Sequence, residues 1–233
     1  MTGQRRAELA DNLDAVRARI ARACETAGRD PHTITLIAVT KFFPATDLDL
    51  LAGLGVTAIG ENRDQEASAK LADVAARAEL EVHFIGQVQS KKAGSVVGYA
   101  DVVQSVDRPK LVAALDRAAQ SAAKVTDVLV QVNLDRATGR GGVPPQEARA
   151  LADLVAATEH LRLRGVMAVA PLGADPDPAF ALLHDVARAI REDHEGATWI
   201  SAGMSGDLEA ALAHGATHLR VGSAILGTRP PHR

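Results

Sequence analysis

Cysteine is almost missing: Cys24 stands alone among 233 residues, so no internal disulfide and no thiolate metal cluster can form within the chain. Aromatic residues make up 3% of the sequence, with one tryptophan and one tyrosine, which leaves few platforms for stacking bases. Charge of one sign is lacking too. The formal net charge is −3 and basic residues are mixed with acids, so nothing marks a nucleic-acid partner. No apolar run approaches the roughly 18 residues a membrane span requires, and the polar stretch from Met1 to Leu9 holds no apolar signal region. His160, His184, His194, His214 and His218 show neither HxH nor HExxH spacing, so no metal site is expected. No Pro/Gly/Ser-rich linker divides the sequence, which predicts one domain over residues 1–233. Together these absences predict a cytoplasmic protein without nucleic-acid or membrane partners. No contiguous apolar stripe is left over on the helix faces, which predicts a monomer.

What is present is alternation. Apolar residues make up 47% of the chain, enough for one large α/β core. Arg5–Ala27 carries Leu9, Leu13, Val16, Ile20 and Ala23 at spacings of three and four and ends at Gly28, which predicts a leading amphipathic helix. The run from Thr33 to Thr40 is rich in β-branched residues and predicts a strand. Seven more strand-like runs follow at 56–59, 82–85, 102–104, 128–133, 163–169, 199–201 and 218–221. Ala-rich helical stretches separate them at 45–54, 63–78, 91–97, 108–123, 145–158, 178–192 and 206–214, and a short piece follows the last strand. Strands alternating with helices imply a parallel sheet. Eight such units predict a closed (β/α)8 barrel with an extra N-terminal helix. A doubly wound open sheet competes, but it often carries a Gly-rich turn after its first strand, and Lys41-Phe42-Phe43-Pro44 has no glycine.

Barrels of this kind work at the C-terminal ends of their strands. Lys41 ends the first strand with the side-chain parity of Ile37 and Val39, so it can point into the mouth. An amine there is a nucleophile toward an aldehyde; a solvated lysine flanking a strand is the bland alternative. The second strand ends in Gly60-Glu61-Asn62, which also reads as a plain helix start, and the third carries His83, which could touch a ligand but is more commonly a satisfied strand histidine. The seventh and eighth strands end in Gly203-Met204-Ser205-Gly206-Asp207 and Arg220-Val221-Gly222-Ser223. These are turns whose backbone N–H groups suit a phosphate dianion, at the pair of positions where barrels commonly hold one. An amine facing a phosphate grip suits a phosphorylated aldehyde. Pyridoxal 5'-phosphate (PLP) fits, and so does a sugar phosphate in a Schiff-base aldolase.

Ile37-Ala38-Val39-Thr40-Lys41, Gly60-Glu61-Asn62, His83-Phe84-Ile85-Gly86, Gly165-Val166-Met167-Ala168, Gly203-Met204-Ser205 and Arg220-Val221-Gly222-Ser223 occur in one order across residues 34–227. As a set they resemble the pyridoxal phosphate homeostasis (YggS) family, whose fold is similar to the barrel domain of alanine racemase. The resemblance implies that Lys41 forms a Schiff base with PLP, the internal aldimine. It also implies that Ser205, Gly222 and Ser223 hold the phosphate with help near Met204, that Asn62, His83 and Met167 line the pocket, and that Arg220 faces the pyridine nitrogen. Two departures stand out. Gly206 separates Ser205 from Asp207 where the family usually has Ser-Asp-Asp or Ser-x-Asp, and Arg140-Gly141-Gly142 replaces a frequent Lys-x-Gly, so a role needing an amine in that loop is in doubt.

The implied function is carriage or buffering of PLP, with PLP-dependent apo-enzymes as recipients and no catalytic residue assigned. A PLP-dependent amino-acid racemase is the alternative. Racemisation needs a second acid/base on the opposite face of the substrate. The chain stops at Arg233 soon after the eighth strand, and Tyr99, the single tyrosine, lies away from the expected mouth, so that second group is not expected.

Overall fold

The computed structural model describes residues 2–135 and 141–228. A leading helix α1 (Thr2–Thr26) precedes the alternating units. These are β1 (Thr35–Val39), α2 (Ala45–Ala52), β2 (Ala58–Glu61), α3 (Asp64–Ala72), β3 (Glu81–Phe84), α4 (Ala93–Tyr99), β4 (Val102–Val106) and α5 (Pro109–Ser121). The second half adds β5 (Thr126–Gln131), α6 (Ala148–Ala156), β6 (Leu161–Met167), α7 (Asp177–Asp193), β7 (Trp199–Ser201), α8 (Leu208–Ala213), β8 (His218–Val221) and a short α9 (Ser223–Leu226). The eight strands form a closed barrel in chain order, and β1 pairs in parallel with both β2 and β8. This is the (β/α)8 barrel that the alternation predicts.

Strands covered on both faces read as nearly continuous apolar runs, because inward and outward side chains are both removed from water. Ala38, Ile59, Val82, Val128, Val166 and Leu219 point outward into the layer shared with the helices. Val102, Leu129 and Met167 form a separate apolar cluster, with Trp199 packed against it. On α1 the expected stripe is the buried one: Leu9, Leu13, Val16, Ile20 and Ala23 all face the core. The helix packs against α2, α8 and α9, beside the seam where β8 meets β1. Polar ties fix it there, with Arg5 donating to Asp47 at 2.7 Å and Asn12 to the Ile225 carbonyl at 2.9 Å. Among the described residues, no helix is long and apolar enough to cross a membrane.

Several boundaries differ from the sequence expectation for identifiable reasons. β1 begins at Thr35 because the Asp30 carboxylate accepts the His32 N–H and folds Pro31–Thr33 into a 3-10 turn. The helix expected over 63–78 stops at Ala72. Asp49 accepts the Ala76 N–H at 2.9 Å, and Arg77 donates to the Leu80 and Tyr99 carbonyls, which holds those residues in another path. β5 ends at Gln131, two residues early, and Val132 instead bridges to Val143.

Gly165 in β6 has φ 147°, and a Cβ there would lie 1.9 Å from the Trp199 carbonyl oxygen of the neighbouring strand. Gly165→Ala is expected to cost on the order of 3 kcal/mol or more. Gly94 on the exposed face of α4 has nothing within 4 Å of an added Cβ. Gly94→Ala is expected to gain roughly 0.4–1 kcal/mol by restricting the unfolded chain. Urea unfolding midpoints of the two variants should move in opposite directions.

Candidate functional site

Closure of the barrel sets the end of β1 beside the end of β8. Ile37 and Val39 point inward, where their methyls lie 3.1 and 3.4 Å from the Cβ position of Gly60. Lys41 follows two residues later and is half-buried. Lys41, Val39, Phe42 and Phe43 of the first strand end, with Gly222, Ser223 and Gly227 of the last, line one cavity of about 150 Å³. The amine and one of the two expected phosphate turns therefore share a depression. Asn62 lines a second cavity of about 500 Å³, with Ile85, Gly86, Gln131 and Asn133, also at C-terminal strand ends.

The backbone on either side of Lys41 is pinned by a buried ion pair. Glu61 at the end of β2 is fully buried, and its Oε1 meets Lys70 Nζ of α3 at 2.6 Å. Thr40 Oγ1 donates to the same Glu61 oxygen at 2.5 Å, and Lys70 Nζ donates to the Thr40 carbonyl at 2.9 Å. On the other side, the Phe42 N–H donates to Glu66 of α3. Phe42 has φ 73°, a region a residue with a Cβ occupies only when surrounding contacts enforce it. α3 thus grips the residues before and after Lys41. Burial raises the Glu61 carboxyl above its ordinary value, while Lys70 and the Thr40 hydrogen bond pull it back down.

The turn after β7 is held in two ways. The Met204 N–H donates to Asp207 Oδ1 at 2.6 Å, and Arg19 of α1 donates to the Ser205 carbonyl at 2.6 Å while pairing with Glu209. Gly203, at φ 90°, is required by contact: an added Cβ would sit 2.6 Å from the Ala211 methyl. Met204 and Ser205 are half-buried, and Ser223 is exposed.

Deeper in the barrel, one pleat below Gly222, Arg220 is buried. Its Nη1 donates to Ser201 Oγ at 2.6 Å and its Nη2 to the Ala168 carbonyl at 2.7 Å. Among the described residues no carboxylate forms an ion pair with it. Burial lowers its pKa to about 10, with Asp207 acting in the opposite sense, so it remains a cation at neutral pH. His83 is also fully buried, with Glu81 at 2.8 Å from Nε2 and Gln104 at 2.9 Å from Nδ1. It is the satisfied strand histidine of the alternative reading in its ring contacts. Met167 packs with Val102 and Leu129 beneath the mouth. Arg140 lies outside the described residues.

Comparison with known proteins decides the family. The model of the alanine racemase N-terminal domain family matches residues 12–230. A pyridoxal phosphate homeostasis protein of Corynebacterium glutamicum is 42% identical over 222 residues, spanning 92% of this chain and 99% of its own length. The chain belongs to the pyridoxal phosphate homeostasis protein family. Among solved structures, PipY of Synechococcus elongatus PCC7942, determined with PLP bound, matches with a TM-score of 0.83 at 32% identity over 94% of this chain and all of its own. An unknown protein from Bifidobacterium adolescentis matches with a TM-score of 0.91 at 32% identity, covering 95% of this chain and 96% of that one.

Within this family framework, sequence reading missed Lys70 and Glu66, which hold the lysine-bearing loop, and Gln104 and Ser201, which reach Arg220 and His83. For the first pair a signal existed: Glu66 and Lys70 stand four apart on a helix, a spacing that suits an ion pair. For the second pair there was none, since a polar residue in a strand does not say what it meets across a barrel.

Lys70→Met is expected to leave Glu61 as a buried charge without its cation and to cost about 3–5 kcal/mol. The folded-state pKa of Glu61 is already raised, so the folded protein binds its proton more tightly than the unfolded chain. Stability from this group is therefore greatest below the ordinary carboxylate value and falls as pH rises through the window above it. Lys70→Met should widen that window, and denaturant melts at pH 5 and pH 8 should show the larger deficit at pH 8. The double variant Glu61→Gln/Lys70→Met should recover part of the loss.

Proposed function

We propose that this chain binds PLP at the C-terminal mouth of the barrel, with the Lys41 amine bonded covalently to the aldehyde carbon. The observation that carries this reading is the shared cavity of Lys41 and the Gly222–Ser223 turn, with an arginine cation one pleat below. The donor set fits the group: an amine for an aldehyde, a hydroxyl and helix-start N–H groups for a phosphate dianion, and a buried guanidinium with no carboxylate partner among the described residues. PLP, when bound, supplies an electrophilic carbonyl conjugated to an electron-withdrawing ring.

The residues of the chain divide the work. Gly222, Ser223 and Ser205, with the backbone at Met204, hold the phosphate. Arg220 faces the ring nitrogen, and a permanent cation there disfavours protonation of that nitrogen, which makes the ring a poorer electron sink. Asn62 would line the pocket from the β2 side, and His83 and Met167 would line it from below. Glu61, Lys70 and Glu66 keep Lys41 in register with the last turn. A site that grips a reactive aldehyde while weakening its electron-sink character suits carriage and buffering. The chain, as one domain of residues 1–233, is read as a cytoplasmic monomer that releases PLP to apo-enzymes by amine exchange.

Visible spectra of the purified protein, followed by borohydride reduction and peptide mapping, test the assignment. Wild-type protein should carry a reducible chromophore that maps to the peptide containing Lys41, and Lys41→Ala should lose it entirely. A chromophore retained by Lys41→Ala, or label on another peptide, would sink the idea. Ser223→Ala should keep the covalent bond but weaken PLP binding by about tenfold, as expected for losing a hydrogen bond to a charged group.

A further inference from the structure

Arg220 is the upper end of a line of polar side chains that runs through the barrel to its opposite opening. Arg220 Nη1 lies 2.6 Å from Ser201 Oγ, Ser201 Oγ 2.7 Å from Gln104 Oε1, Gln104 Nε2 2.9 Å from His83 Nδ1, and His83 Nε2 2.8 Å from Glu81 Oε2. The line crosses four strands, β8, β7, β4 and β3. Its interior members Ser201, Gln104 and His83 are buried to within 1% of complete, whereas the Glu81 side chain at the N-terminal opening is 44% exposed.

The two ends fix the direction of every bond between them. A guanidinium can only donate, and a carboxylate can only accept. Arg220 therefore donates to the Ser201 oxygen, which leaves the Ser201 hydroxyl hydrogen for Gln104 Oε1. The Gln104 amide nitrogen then donates to Nδ1 of a neutral His83, whose proton sits on Nε2 and points at Glu81. The reverse orientation of Gln104 would press two donors onto the Ser201 oxygen and strand its hydroxyl hydrogen. Only one arrangement satisfies every member. His83 holds the Glu81 carboxyl below its ordinary value, so the terminal anion is present at neutral pH.

We propose that Glu81, His83, Gln104 and Ser201 are positioning residues for Arg220: a one-way hydrogen-bond chain that orients the guanidinium and supplies its counter-charge from the far end of the barrel. This rests on the reading that Arg220 faces the ring nitrogen of PLP. A carboxylate in direct contact would occupy the donors that the ring nitrogen needs. A carboxylate at the end of a polarised chain compensates the charge while leaving that face of the guanidinium available, since aligned hydrogen bonds in a low-dielectric core reinforce one another.

Two measurements test this. The first uses wild-type protein without ligand: NMR of ¹⁵N-imidazole-labelled protein should show His83 as the Nε2–H tautomer. The Nδ1–H tautomer would reverse the chain and overturn the proposal. The second compares affinities for PLP and for its carbocyclic analogue, in which C–H replaces the ring nitrogen. Wild-type protein should favour PLP, and Ser201→Ala and Glu81→Leu should each erode that preference by about tenfold. Glu81→Gln, whose amide oxygen still accepts from His83, should restore part of it. Equal weakening toward both ligands would mean a merely structural role and would overturn the proposal. A wild-type preference that survives in every variant would overturn the chain alone, whereas no preference in the wild type would overturn the Arg220 reading as well.

Discussion

The parallel pairing of β1 with β8 is the contact on which the site depends. Register sets Ile37 beside Arg220 and Ala38 beside Val221, so that Val39 reaches Gly222 and Lys41 shares a cavity with the final turn. Lys41 and Ser223 are separated by nearly the whole barrel in sequence. Their proximity follows from closure alone, because in an open sheet the first and last strands would lie on opposite edges. The leading helix reinforces this seam. Its buried stripe packs on α2, α8 and α9, and Arg19 reaches from it to the turn that carries Ser205.

Among the described residues, two clusters of buried charge border the site. The Glu61–Lys70 pair sits outside the strand layer, under α3, and fastens the backbone around Lys41. Arg220 sits inside the barrel and meets hydroxyl and carbonyl oxygens in place of a carboxylate. The two clusters differ in consequence. The ion pair fastens the lysine-bearing loop, whereas the Arg220 cation, which forms no ion pair among the described residues, is the charge proposed to meet the ligand. The PLP site proposed for the barrel mouth draws on both clusters.

The interior of the barrel is divided between an apolar cluster of Val102, Leu129 and Met167 and the polar line from Arg220 to Glu81. Close packing around the polar line limits its rearrangement, and each member has its partners satisfied by its neighbours. His218, stacked against Trp199 with ring centroids 4.3 Å apart, adds no charge: burial pushes its pKa down to about 3. His218 therefore places no second charge beside the polar line.

Periodicity by itself determined a great deal. The stripe of α1, the eight apolar runs and the seven helical stretches dictated a closed parallel barrel, since each pattern reports which faces leave water. Parity allowed Lys41 to face the barrel mouth, and the glycine turns at 203 and 222 marked the last two strand ends. What the sequence could not decide were contacts made across the barrel. Nothing local distinguishes Gln104 or Ser201 from other strand residues, or says that Lys70 is the cation for Glu61. His83 read from its strand as a satisfied histidine more readily than as a ligand contact, and the structure shows both ring nitrogens occupied. Boundaries shifted where tertiary hydrogen bonds from Asp30, Asp49 and Arg77 overrode local propensity. Side-chain periods encode burial, which is a property of one segment at a time. Hydrogen-bond partnership is a property of pairs, and only the closed barrel brings those pairs together.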